Sequence, residues 1–229
     1  MGRFLLIFSL ISFNISAQEV LRGEVQVVFE PLRGNYVEDG YSIEQQVIYR
    51  RALEESAFFY SAMIYGWSFN YDVGERARGI AEDFELTPIE RIRFGDPGLS
   101  VTDVYVKDMR LHLWTDYRLN ADQQRRMRMW RLGSVQTAQA TGRAFIDGAF
   151  AESVGGESDW DVVKNAALED AARLAVRTML RGSERNRPKE VTGFISLASF
   201  PHYWIEAGQW AASARFRIEI KEIIPFSLY

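Results

Sequence analysis

The stretch that decides the fold is Ser158 to Gly182, SDWDVVKNAALEDAARLAVRTMLRG. Leu168, Ala171, Ala172, Ala175, Val176 and Met179 recur at the i, i+3, i+4, i+7 spacing of one helix face. Lys164, Asn165, Glu169, Arg173 and Arg177 fall on the opposite face, with Glu169 and Arg173 spaced for an i,i+4 ion pair. Ser158 with Asp161 three residues later predicts the N-cap, Glu157, Asp159 and Asp161 suit the positive end of the helix dipole, and Arg173, Arg177 and Arg181 suit the negative end. Gly182 then reads as a left-handed C′ residue.

An alanine face approaches another backbone closely, which suits a sheet. Gln209 to Glu222 supplies one: Trp210, Ala212, Ala214, Phe216, Ile218 and Ile220 alternate with Ala211, Ser213, Arg215, Arg217, Glu219 and Lys221. The second half therefore reads as α+β, a helix on an antiparallel sheet whose other face is wet.

Outward from there, the same order recurs. Residues 137–146 alternate as a strand with a small-residue face, 158–181 is the helix, and 190–200 and 209–222 are strands, with 201–208 a turn. In the first half, 22–29 is a strand and 42–59 a helix opened by a Ser42/Gln45 capping box. A strand over 62–71 with an aromatic face (Met63, Tyr65, Trp67, Phe69, Tyr71) and a strand over 102–119 follow. A slip of phase at Lys107-Asp108 in the latter reads as a bulge. Residues 73–98, rich in charge, glycine and proline, read as an excursion with at most a short helical piece at 88–93. Asn120-Ala121-Asp122 is a turn signal, and 126–130 fits strand or helix. The expected architecture is α+β, two tandem β-α-β-β units over 18–122 and 123–229.

Met1 to Ala17 carries one charge, Arg3, an apolar run to Phe13 and a small-residue site at Ile15-Ser16-Ala17, the pattern of a secretory signal peptide cleaved after Ala17. About 10 apolar residues are too few for the roughly 20 of a spanning helix. A periplasmic or secreted protein without a transmembrane segment is therefore expected. There is no cysteine, which excludes disulfides, thiolate metal sites and lipid attachment through a lipobox. Loss of Arg3 leaves 26 basic residues against 31 acidic ones, a balance that points away from nucleic acid.

Catalytic signals are sparse. His112 and His202 are the only histidines and neither has a sequence neighbour to act with. No His/Cys metal spacing, nucleophile elbow or glycine-rich phosphate loop occurs, so no catalytic residue, metal or cofactor is assigned and a non-enzymatic role is expected. The acids Glu152, Glu157, Asp159 and Asp161 are accounted for chiefly by helix capping, and Arg125, Arg126, Arg128 and Arg131 by a solvated face. Pro201-His202-Tyr203-Trp204-Ile205 gathers bulky side chains in one short connection. Tyr203 and Trp204 are the candidate partner anchors, with Arg215 and Arg217 orienting a partner's carboxylates.

The run ATGRAFIDG (140–148), then NAALEDAARLAV (165–176), VTGFIS (191–196) and WAASARFRIEI (210–220) resembles the N-terminal domain of FlgT-like flagellar assembly proteins and related small exported or outer-membrane lipoproteins. Gly142-Arg143-Ala144 and Ala167, Asp170, Ala171 and Ala175 carry the likeness, over roughly 137–222. It implies a non-enzymatic part of an envelope or flagellar-motor assembly, with envelope or flagellar proteins, or a second copy of itself, as partners. The alternatives are a periplasmic binder of a glycan or peptide, stacking it on Tyr65, Trp67 or Trp204, and a carboxylate-dependent hydrolase.

Overall fold

A computed structural model describes residues 19–28, 45–75, 79–108, 110–145, 162–183 and 188–225. The signal pattern, both expected helix caps (Ser42 and Ser158) and the acids Glu152, Glu157, Asp159 and Asp161 lie outside them. The protein is α+β with antiparallel sheets. Its elements are β1 (Val20–Val28), α1 (Gln45–Ile64), β2 (Trp67–Asp72), β3 (Asp83–Pro88), β4 (Leu99–Lys107), β5 (Arg110–Arg118), α2 (Ala121–Met129), β6 (Gln136–Phe145), α3 (Val162–Ser183), β7 (Pro188–Leu197), β8 (His202–Glu206) and β9 (Gln209–Pro225).

The strands are not shared out in chain order. A small sheet runs β1-β5-β4 and a larger one β3-β2-β7-β9-β6, with β8 also on β9. In each half the first strand pairs antiparallel with the last, β1 with β5 and β6 with β9. The strand after α1 leaves its own half, however: β2 pairs β7, Trp67 opposite Ile195 and Tyr71 opposite Val191. The halves are thereby stitched into one sheet.

Helix α1 packs on β1 and β5 of the small sheet and on β7 of the large one. That placement explains its composition. Ala52, Ala57, Phe59, Tyr60, Met63 and Ile64 are all buried, and the Tyr60 hydroxyl donates 2.7 Å to the Thr115 carbonyl of β5. The sheets meet where Phe200, between β7 and β8, covers Gly23 of β1. A Cβ at Gly23 would stand 2.4 Å from the Phe200 ring, which also packs against Phe59 and Tyr60 at 5.0 and 4.9 Å.

Several boundaries differ from the sequence reading, each for an identifiable reason. Helix α1 runs to Ile64 and stops at Gly66, whose φ of 69° and amide bond to the Ser61 carbonyl form a left-handed C-terminal cap, so Met63 and Tyr65 precede the strand. At the slip expected at Lys107-Asp108 the chain reverses as a hairpin, with Lys107 paired to Arg110, which divides one long strand into β4 and β5. Within 73–98 there is a strand, β3, and 88–93 is not helical. Asn120 caps α2 through a reciprocal bond with Gln123, which settles 121–129 as helix. The 201–208 turn contains strand β8, and Gly182 lies inside α3 rather than ending it.

The alanine face of α3 lies on β6 and β9, as its small residues require. Ala167, Ala171, Ala172, Ala175 and Val176 are fully buried. The approach is closest at Gly142 of β6, where a Cβ would fall 2.1 Å from the Ala171 amide nitrogen and 2.3 Å from the Ala167 carbonyl oxygen. Backbone cannot yield as a flexible side chain can, so Gly142→Ala is expected to destabilise by about 1–3 kcal/mol, the usual range of overpacking. Ala171→Leu should cost at least as much. Urea unfolding of both variants checks this, and unchanged midpoints would show that α3 does not touch β6.

Candidate functional site

Among the described residues, strands β1 and β8 each have a partner strand on one side only, and they border a cleft of about 260 Å³. Its walls include Gln26 of β1, Glu55 and Phe59 of α1, Arg110 of β5, the 200–205 segment and Trp210 of β9. The turn joining β8 to β9 is Ala207-Gly208, with φ of 50° and 75°, as in a type I′ hairpin. Since Glu206 and Gln209 then form the closing pair, alternation directs the amides and carbonyls of Tyr203 and Ile205 away from β9.

Lys164 and Glu55 meet in the wall of this cleft. Lys164 reaches from the first turn of α3, its Nζ 2.8 and 3.2 Å from the two carboxylate oxygens of Glu55 on α1 and 3.4 Å from the Gln26 carbonyl of β1. The two side chains are only 7% and 6% exposed. The ammonium also sits 5.3 Å from the centroid of the Tyr203 ring and 5.2 Å from that of Trp210, where the negative faces of the rings favour a cation. Lys164, placed by its spacing on the face of α3 opposite the alanines, is thus buried between α1, β1 and two aromatic rings.

Tyr203 stacks on Phe59 at 6.0 Å, and its hydroxyl is buried without a hydrogen-bond partner. Burial, and secondarily the Glu55 charge, push its pKa well above that of an ordinary tyrosine. An unsatisfied buried hydroxyl costs about 1–3 kcal/mol.

The four residues expected to act as one surface are divided by the sheet. Tyr203 pairs with Ala212 on the helix-covered face, whereas Trp204 pairs with Ala211 on the other. On that outer face Trp204 stacks on His202 at 5.5 Å. Arg215 is exposed there, but Arg217 is committed, donating to the carbonyls of Leu197 at 3.0 Å and Ala198 at 3.2 Å. Tyr65 and Trp67 are core residues, so neither can stack a glycan.

Other charged groups have partners that the sequence reading did not name. Arg173 pairs with Asp170 at 2.7 Å and Glu82 at 2.9 Å instead of with Glu169, whose carboxyl burial holds above the usual range with help from Asp83 and Glu85. His112 is not a lone surface residue. Its Nδ1 lies 2.7 Å from Glu24 and its ring stacks on Tyr105 at 4.6 Å. Within the arginine-rich segment, Arg125 pairs with Asp122 and Arg131 with Glu19. Among the described residues no group of three or more His, Asp or Glu side chains could hold a metal ion, and no helix is long and apolar enough to cross a membrane.

The fold and cleft define a class: an α+β protein in which two antiparallel sheets share one buried helix and leave two strand edges beside a small aromatic cleft. A protein-family model of an uncharacterized family matches residues 9–226, and the chain belongs to that family. A protein of Treponema pallidum (strain Nichols), described as an uncharacterized protein, is 31% identical over 176 residues, 77% of this chain and 69% of the relative. No solved structure matches.

Removing one member of a buried ion pair strands the other. Glu55→Gln or Lys164→Met is therefore expected to destabilise by about 3–5 kcal/mol, while the double variant Glu55→Leu with Lys164→Met should recover most of the loss. A chemical-unfolding double-mutant cycle measures it, and additive losses would show that the two charges are not coupled.

The tyrosines predict a loss of stability in base. Burial pushes Tyr60, Tyr71 and Tyr117 up to about 12, with the Glu82 carboxylate adding to the shift at Tyr71. In the unfolded chain they ionise near about 10. Their contribution is thus whole below about pH 10 and is lost as pH rises toward about 12. Urea midpoints should fall over that window together with tyrosinate absorbance, and a flat profile would contradict it.

Proposed function

We propose that this protein is an exported, non-enzymatic assembly component of the bacterial cell envelope that holds an extended segment of a partner protein in the cleft between β1 and β8. The observation that carries the reading is the Tyr203 hydroxyl, buried and unsatisfied in a cleft wall whose adjoining strand directs its backbone groups outward. An added strand satisfies such groups by main-chain bonds, and side-chain pockets then supply selectivity. The volume, about 260 Å³, is below the roughly 300–1,000 Å³ of pockets that enclose a whole ligand. It suits one or two side chains projecting from a longer chain.

Charge supports the same choice. Glu55 is held by Lys164 and Glu24 lies 2.7 Å from His112, so each carboxylate beside the cleft already has a partner within the protein. The signal pattern of Met1 to Ala17 supports export. The resemblance of 137–222 to the FlgT N-terminal domain supports an envelope or flagellar partner.

The test is a peptide library presented to the exported chain, with tryptophan fluorescence from Trp210 and Trp204 as the readout. Ile205, 38% exposed beside the cleft, is the residue to change. Ile205→Asp should weaken the selected peptides at least about tenfold while stability stays within about 1 kcal/mol. Capture of glycan fragments but no peptide would replace the reading with carbohydrate binding. Turnover of any envelope polymer would end the non-enzymatic assignment.

A further inference from the structure

Strand β4 is unlike every other strand of the fold. It is exposed along all but its first residue, and among the described residues only β5 pairs with it. Helix α1 packs on β1 and β5, while β4 is exposed to solvent. Val101, Val104 and Val106 consequently continue the core-facing side of the small sheet into solvent, at 47%, 38% and 61% exposure. Their cross-strand neighbours Thr115, Leu113 and Leu111 are buried. A long apolar edge strand left open is a template for another strand.

The backbone phase of that edge is fixed by the hairpin. Lys107 and Arg110 close the turn, so Tyr105 faces His112 through ladder bonds while Val104 and Val106 direct their amides and carbonyls outward. The local bond from the Val104 amide to its neighbour's carboxylate, Asp103 Oδ1 at 2.8 Å, agrees with this. Asp103 thus caps a donor that the open edge leaves without a strand partner.

Three antiparallel registers let the outward groups of two identical edges meet, centred on Val104, Tyr105 or Val106. Centred on Val104, Asp103 would face Tyr105 and Lys107 would face Val101. Centred on Val106, Lys107 would face Tyr105. Only the register centred on Tyr105 sets each Asp103 opposite a Lys107, with Val104 opposite Val106 and Tyr105 opposite its own copy. Opposite charges directly across a strand pair stabilise it, and like charges oppose it.

We propose that two copies of this protein associate through β4 in that register, joining their small sheets into one six-stranded antiparallel sheet about a two-fold axis at Tyr105. The contact is isologous and closes on itself, so it yields a dimer rather than a fibre. The Val104 amide passes from Asp103 to the Val106 carbonyl of the second copy, which releases the carboxylate to meet Lys107. The valines of both copies then form one continuous apolar strip on the core-facing side.

The exported chain should sediment at twice its monomer mass. Asp103→Lys or Lys107→Asp alone should weaken association at least tenfold, and the two together should restore it by exchanging the charges. Register is read independently by disulfide trapping, because the protein has no native cysteine. Residues facing each other across such a pair have Cα atoms about 4.5–5.5 Å apart, within disulfide reach. Tyr105→Cys should cross-link to itself, while Val104→Cys and Val106→Cys should cross-link when mixed and not when alone. A monomer at every concentration overturns the proposal. So does a dimer indifferent to both charge reversals, or one whose trapping is strongest at Val104 or Val106 alone.

Discussion

Burial of the Glu55–Lys164 pair is the constraint on which the arrangement of helices and sheets depends. Two charges removed from water are tolerated only with close geometry and further bonds, and here the geometry draws on elements distant in sequence. Glu55 belongs to α1 and Lys164 to α3, the Gln26 carbonyl to β1, and the two rings beneath the ammonium to β8 and β9. If α3 rotated by a residue, or β8 did not fold back, a charge would be left alone in the interior. The pair therefore sets how the two halves sit on each other, whatever its net contribution to stability.

Around it the protein uses two kinds of contact. Helix α3 sits on β6 by the absence of side chains, with Gly142 admitting the backbone of Ala171. Helix α1 does the reverse, filling the space between sheets with Phe59, Tyr60 and Met63 and anchoring Tyr60 to β5 through its hydroxyl. Close backbone approach fixes position along one sheet, while large rings span two. The division explains why α1 has little polar surface in its C-terminal half and α3 keeps a charged face.

The two sheets also leave their edges in different states. At β8 the strand borders a small cleft with aromatic walls, in which the Tyr203 hydroxyl is buried. At β4 the outward groups lie on an exposed strand whose pairing with β5 shifts register between Val101 and Asp103, with opposite charges two residues either side of Tyr105.

Much of this was legible in the sequence. The alternation of 209–222 and the alanine face of 158–182 determined a helix on an antiparallel sheet, because periods of 2 and 3.6 are imposed by backbone geometry within a few residues. What the sequence could not decide was pairing between distant elements. Nothing local tells β2 to join β7 instead of β5, and a hairpin at Lys107-Asp108 and a bulge both present as a change of phase. The burial of Lys164 was not legible because helical spacing shows which residues share a face and not what packs on it, and Tyr203 and Trp204 read as one surface because sequence neighbours in a strand look adjacent until the sheet separates them. Periodicity is a property of short segments and was therefore written in the chain, whereas the buried ion pair, the cleft and the open edges exist only between segments, so only the tertiary structure could decide them.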